Sequence, residues 1–297
     1  MESLASTLAE RVVLLDGGLA TRLESRGHDL SDRLWSARLL LDDPDEVRAA
    51  HADFFAVGAE VATTASYQVS ESGFEASGHT ATEAREALRR SVRLAREASE
   101  GFAGPRWVAA SVGPYGASLA DGSEYRGDDG LSVAALRAWH RPRLEVLAEA
   151  GADVLACETI PSLAEVEALT LELAALGVPA WLSLTTVAGR TRRAEAAAEA
   201  FAIAAEAPNV IALGANCCDP AEASAVTAAV GGRRPVVFYP NSGELWDAAS
   251  RRWSGEPGVT GSTRDWVAAG VRAVGGCCRV TPAHVCAMAA ELADAAS

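Results

Sequence analysis

The sequence predicts a single-domain (β/α)8 barrel of the TIM type, spanning residues 1–297. Three observations carry this expectation. Short, nearly all-apolar runs, as expected of parallel strands covered on both faces, alternate with Ala/Leu/Glu/Arg-rich stretches at helical spacing. Eight such strand–helix units fit a chain of 297 residues. Polar or unusual residues follow the runs one after another, at the strand ends where such a barrel builds its site. A doubly wound open sheet is the alternative, but nothing resembles its Gly-rich dinucleotide turn.

In chain order, the strand candidates are Val12–Leu15, Glu60–Thr64, Trp107–Val112, Val154–Cys157, Ala180–Thr185, Val210–Ala215, Val236–Tyr239 and Val271–Val274. A helix is expected from Pro44 to Val57, stopped by Gly58. Another should begin with Pro161 in its first turn and close at Gly177; Pro220 and Pro282 fit the same first-turn role. The stretch from Tyr115 to about Leu131, YGASLADGSEYRGDDGL, is the longest break. A loop of that length in a compact domain is usually functional or disordered. Its Tyr115 and Tyr125 favour a lid or substrate loop over about 114–131.

Composition narrows the function classes. The net charge is −14 and lysine is absent, so nucleic acid and anionic membranes are poor partners. The residues from Met1 to Glu10 lack a basic segment and a long apolar core, and no apolar run approaches the roughly 20 residues of a membrane span. A cytoplasmic protein is the expectation, and a monomer the default. With six cysteines, four in two adjacent pairs, reduced thiols point to metal binding or catalysis rather than to a disulfide scaffold.

Adjacent residues of a strand face opposite ways, so Cys277 and Cys278 can reach one metal only beyond the strand end. Gly275 and Gly276 supply backbone freedom there. A third thiolate can come from Cys217 or Cys218, after the sixth strand and on the same rim; spacing does not choose between them. Three thiolates with one open position describe catalytic zinc. A vicinal Cys277–Cys278 redox pair and inert packing are the competing explanations. Cys157 and Cys286 are expected to be small buried packing residues.

The segments LLDGGLATRLESRG, DLSDRLWSA, TTASYQ, SVGPYGASLADGSEYRG, CETIPS, GANC, YPNSGE and GGCCRVTP closely resemble the homocysteine S-methyltransferase family, in particular its S-methylmethionine-dependent branch. The resemblance implies a zinc held by Cys217, Cys277 and Cys278, leaving Cys218 to pack. It implies that Asp16, Gly17, Thr63 and Glu158 form the homocysteine pocket. Asn216 matches the family asparagine beside the metal, able to fill its fourth position when homocysteine is absent. Betaine-using relatives carry tyrosine where this chain has Thr159, which argues against betaine as donor. Arg279 stands where some relatives have glycine, and its task is open.

The implied reaction moves a methyl group from a sulfonium, S-methylmethionine preferred and S-adenosylmethionine possible, to the homocysteine thiolate and makes methionine. A free thiol is only slightly ionised at neutral pH, and zinc removes that limit. The leaving group is a neutral thioether, so no strong general acid is needed. Aromatic faces can stabilise a sulfonium. Trp35, Tyr67, Tyr115 and Tyr125 are candidates for this role, and Glu244 for the donor's ammonium, with packing or turn capping as the alternative for each. Selenocysteine or another small thiol as acceptor, and a non-catalytic zinc- or homocysteine-binding sensor, remain as alternative functions.

Overall fold

The computed structural model describes residues 2–247, 252–255, 258–259 and 262–295. The strands are β1 (Val13–Leu14), β2 (Val61–Thr63), β3 (Trp107–Val112), β4 (Val154–Ile160), β5 (Ala180–Leu184), β6 (Val210–Asn216), β7 (Val236–Tyr239), the hairpin pair β8 (Leu245–Asp247) and β9 (Arg252–Ser254), and β10 (Val271–Val274). The large sheet runs β1-β10-β7-β6-β5-β4-β3-β2, with every pairing parallel. A parallel bridge from Leu15 to Val61 joins its two edges and closes the barrel. All eight expected strands are present, and helices separate them. The antiparallel β8–β9 hairpin was not anticipated.

Period-two alternation sorts each strand's residues. Val61, Trp107, Ala109, Val154, Ala156, Trp181, Ala212, Val237 and Ala273 fill the barrel interior, while Val108, Leu155, Leu182 and Leu213 pack outward against the helices. Leu4 and Leu8, from the helix Leu4–Glu10, join the interior cluster at the end opposite the site. There the indole N–H of Trp107 donates to the carbonyl of Glu2 at 3.1 Å.

Several boundaries move. β4 continues to Ile160 and β6 to Asn216, so Glu158 and Asn216 sit within strands rather than after them. The helix after β4 is Leu163–Leu176, because Ser162 takes the N-cap and accepts from the N–H of Glu165. Pro161 therefore precedes the cap instead of opening the first turn. Gly177 closes this helix at φ 69°, as expected. Pro44–Ala56 forms the helix before Gly58, and Pro282 opens Pro282–Ala295. Cys286 does not pack: Val285 and Met288 take the inner face of its helix and leave Cys286 exposed. No helix among the described residues is long and apolar enough to cross a membrane.

Candidate active site

The parity that fills the barrel also builds its upper layer. Two residues beyond Val61, Ala109, Ala156, Trp181, Gly214 and Val237 come Thr63, Ser111, Glu158, Ser183, Asn216 and Tyr239. Apolar filling thus gives way to one polar tier. Glu158 is its centre. Ser111 Oγ donates a short hydrogen bond to Oε1, and Tyr239 Oη donates to Oε2 at 2.9 Å. Trp181 Nε1 holds the Tyr239 hydroxyl at 3.0 Å. Burial pushes Glu158 up to about 7, against the lowering effect of those two hydroxyls.

Asp16 is the second carboxylate of this layer. It accepts the N–H of Thr63 at 2.7 Å and the Thr63 hydroxyl at 2.9 Å. Burial nevertheless raises it to about 8, and the charge of Glu158 adds to the rise. Two buried carboxylates that both resist ionisation are a ready receptor for a cation such as an ammonium. Gly17 follows directly. A Cβ there would lie 2.5 Å from the Val280 carbonyl and 2.8 Å from the Phe54 ring, so close approach demands glycine.

The three cysteines meet on the same rim. The sulfurs of Cys217, Cys277 and Cys278 lie within 4.8 Å of one another. Cys217 follows Asn216 at φ 47°, a left-handed turn that ends β6. Gly276 precedes Cys277 and donates to the Asp16 carbonyl at 3.0 Å. Its missing Cβ leaves room for the Val280 side chain, and neither Gly275 nor Gly276 takes a positive φ. Close packing, rather than an unusual turn, is why glycine stands there. Cys218 is buried in the outer core.

Cys217 and Cys277 are joined as a disulfide with Cα atoms 5.6 Å apart, and Cys278 Sγ lies 4.0 Å from Cys277 Sγ. The vicinal Cys277–Cys278 pair, the competing explanation to a metal site, is therefore not the bond formed. Two sulfurs on a tetrahedral zinc lie about 3.8 Å apart. Once the Cys217–Cys277 bond is reduced, the three sulfurs fit that geometry and that soft-metal chemistry. Burial, followed by the charge of Glu124, lifts the Cys278 thiol to about 12, so its thiolate requires a cation beside it.

Asn216 is fully buried and committed. Its Oδ1 accepts the N–H of Thr159 at 2.7 Å and the Ser183 hydroxyl at 2.8 Å, and its Nδ2 donates to Thr159 Oγ1 at 2.8 Å. The fourth-ligand role implied by the family resemblance would require breaking these bonds. As placed, Asn216 instead ties Thr159, held at φ 62°, to the turn that carries Cys217. Trp35, Thr159, Cys217 and Arg279 all have positive φ, which concentrates backbone strain on this rim.

The expected lid folds into two 3-10 turns, Tyr115–Leu119 and Ser123–Tyr125. Tyr125 comes next to Cys278, with the Arg192 guanidinium 5.2 Å from its ring centroid. Trp35 and Tyr67 pack edge-on at 6.4 Å. Tyr115 is not brought to the sulfurs. Its ring meets Trp139 at 5.1 Å and its N–H donates to Glu165 at 2.6 Å, anchoring it among the outer helices. Glu244 is placed on the rim, where Arg279 Nε and Nη2 each donate to it at 3.2 Å and Ser242 Oγ at 2.8 Å. Burial raises this carboxylate, but those bonds outweigh burial and hold it below its ordinary value. The open task of Arg279 is thus to clamp Glu244. Ser111, Ser183 and Tyr239 were missed from sequence, although the two-residue parity of β3, β5 and β7 pointed to them.

The profile of the homocysteine S-methyltransferase family matches residues 13–292. The homocysteine S-methyltransferase of Escherichia coli K12 is 44% identical over 294 residues, covering 94% of this chain and 95% of that protein. The selenocysteine Se-methyltransferase of Brassica oleracea var. italica is 39% identical over 298 residues, covering 92% and 86%. Crystal structures of the homocysteine methyltransferase MmuM from Escherichia coli are 42% identical to this chain. The metallated form superposes with TM-score 0.84, covering 95% of this chain and 96% of that one; the oxidized form gives 0.85, covering 96% and 97%.

Proposed function

The chain belongs to the homocysteine S-methyltransferase family, and on that footing we propose that it transfers the methyl group of a sulfonium, S-methylmethionine in preference to S-adenosylmethionine, to homocysteine, producing methionine. The observation that carries the reading is the joining of two sites on one rim. Three sulfurs able to hold a soft metal are linked to two buried carboxylates, through Gly276 to Asp16 and through Asn216 and Thr159 to Glu158.

Asp16 and Glu158 receive the ammonium of homocysteine, and Thr63, Ser111 and Tyr239 hold these carboxylates in place. Gly17 keeps the wall flat enough for the amino acid to lie against it. Cys217, Cys277 and Cys278 would hold zinc, which when bound would supply thiolate character to the acceptor sulfur at neutral pH. The sulfur lone pair forms the new S–CH3 bond while the donor's CH3–S⁺ bond breaks, its electrons returning to the leaving sulfur. The products are two neutral thioethers, and no proton transfer accompanies the step. The protein's remaining work is alignment, which for two bound reactants is a large share of the barrier. Trp35, Tyr67 and Tyr125 offer aromatic faces to the sulfonium. The zinc site needs the Cys217–Cys277 bond reduced, which suits a cytoplasmic setting.

The selenocysteine Se-methyltransferase relative supports a second acceptor with the same chemistry, a small selenol. Zinc-loaded protein incubated with homocysteine and methyl-labelled S-methylmethionine should transfer the label to homocysteine. No transfer from S-methylmethionine or S-adenosylmethionine at full zinc occupancy would refute the proposal, and competition between homocysteine and selenocysteine ranks the acceptors.

A further inference from the structure

Glu124 belongs to none of the assignments above. It lies in the second 3-10 turn of the long loop, Ser123–Tyr125. Its Oε2 is buried and has no hydrogen-bond partner among the described residues. Its position is pinned: a Cβ on Gly116 would stand 2.6 Å from the Glu124 nitrogen, so the loop is folded tightly on itself here. Arg126, whose charge lowers the Glu124 carboxyl, is itself paired with Asp121 and Asp128. Arg192 lies over the Tyr125 ring and donates to the Thr185 hydroxyl.

The surroundings of Glu124 are those of the reaction. Its charge bears on the Cys278 thiol and on the hydroxyls of Tyr67 and Tyr125. Tyr67 packs edge-on against Trp35, and Tyr125 lies beneath Arg192. A buried carboxylate oxygen left without a donor costs stability. That cost falls when a cation comes to lie beside the carboxylate.

Resting on the sulfonium reading above, we infer that Glu124 is the counter-charge of the donor's sulfonium, facing it from the side opposite the acceptor sulfur, within the rings of Tyr67 and Tyr125. The ammonium and carboxylate of the donor are bound elsewhere; Glu124 reads the charge on sulfur. The placement also directs the exchange of products. Before transfer, the donor is attracted by a thiolate on one face and a carboxylate on the other. As the methyl group moves, the S⁺ centre gains the electron pair of the broken bond and both attractions end. The spent thioether faces an unneutralised carboxylate, which favours its replacement by a fresh sulfonium.

The test compares S-methylmethionine with its uncharged carbon isostere, 2-amino-5-methylhexanoate, as ligands of the zinc-loaded protein. The parent should bind the sulfonium at least about tenfold more tightly than the isostere. Glu124→Gln should lose most of that preference, while Glu124→Asp should retain part of it. Zinc content and affinity for 2-aminobutyrate, a thiol-free acceptor analogue, report on the rest of the site and should hold in both variants. A parent without preference for the charged ligand overturns the inference, as does a preference that survives in Glu124→Gln. Equal losses for both ligands, accompanied by loss of zinc, would assign Glu124 a structural task and also overturn it. Failure of the parent to transfer a methyl group from any sulfonium is a separate result and refutes the parent reading itself.

Discussion

On the proposed function the site has two halves, and they are built differently. The acceptor half stands on the strands or just past their ends: Asp16, Thr63, Ser111, Glu158 and Tyr239 are buried or nearly so, and each carboxylate oxygen of Asp16 and Glu158 has a hydrogen-bond donor. The donor half stands on connections: Trp35, Tyr67, Glu124, Tyr125 and the Glu244–Arg279 pair come from five separate segments, and Glu124 Oε2 has no partner among the described residues. Groups on strands hold position at little entropic cost, whereas loop groups are placed by their own turns. The acceptor pocket is thus preformed, and the donor side is where specificity can change without disturbing the fold.

The sharpest break in this comparison comes at the seam between the halves. Cys277→Ser removes one of three sulfurs, and metal affinity should fall by more than the roughly 10–100-fold that disturbing a ligand's support costs. Methyl transfer should fall with it, as read by metal content and label transfer in the same sample.

Next is Glu158→Gln. Loss of a charge-assisted hydrogen bond to the acceptor's ammonium should cost about 1.5–3 kcal/mol, raising the KM for homocysteine roughly 10–100-fold. The KM for the donor should change far less if the halves are independent, and a parallel rise in both would break the comparison.

The third prediction concerns pH. Glu158 is raised from 4.5 to about 7 and Asp16 from 3.8 to about 8. A carboxylate with a raised folded pKa stabilises the protein fully below its unfolded pKa and loses that contribution as pH rises through the folded value. The Tm of the ligand-free protein should therefore decline between about pH 5 and 8, and Glu158→Gln should flatten that decline. An ammonium between the two carboxylates favours their ionised forms. Stabilisation by 2-aminobutyrate should accordingly be larger at pH 8 than at pH 6, and no difference would remove these carboxylates from the ammonium site.

The smallest effect is expected at Tyr115. Tyr115→Leu should lower stability by about 0.5–1.5 kcal/mol through loss of its edge-on contact with Trp139. Donor KM should move less than twofold; a larger shift would return Tyr115 to the donor pocket.

Legibility in the sequence divides along the same line. Strand positions were readable because alternation is a local, repeating signal: β3, β7 and β10 match their expected bounds, and extending the parity by one step would have found Ser111, Ser183 and Tyr239. Cys217 could not be separated from Cys218 by spacing, because a left-handed residue at Cys217 decides which sulfur faces the rim. The grip of Arg279 on Glu244 joins residues 35 apart with no shared period. Glu124 offered no signal, since an unpartnered oxygen is a property of surroundings and not of sequence.

One end of the barrel is stoppered. Leu4 and Leu8 of the first helix, with the Glu2 carbonyl on Trp107, close the floor, and the tryptophans at 107 and 181 fill the middle. Traffic therefore has a single door. On the proposed function Asp16 and Glu158 take the acceptor inside the barrel and the aromatic rings take the donor at its mouth, so a docked donor would stand in the acceptor's path. Turnover should follow a queue, with homocysteine first in and the methylated acceptor last out, and a high donor concentration that traps the empty enzyme should slow it.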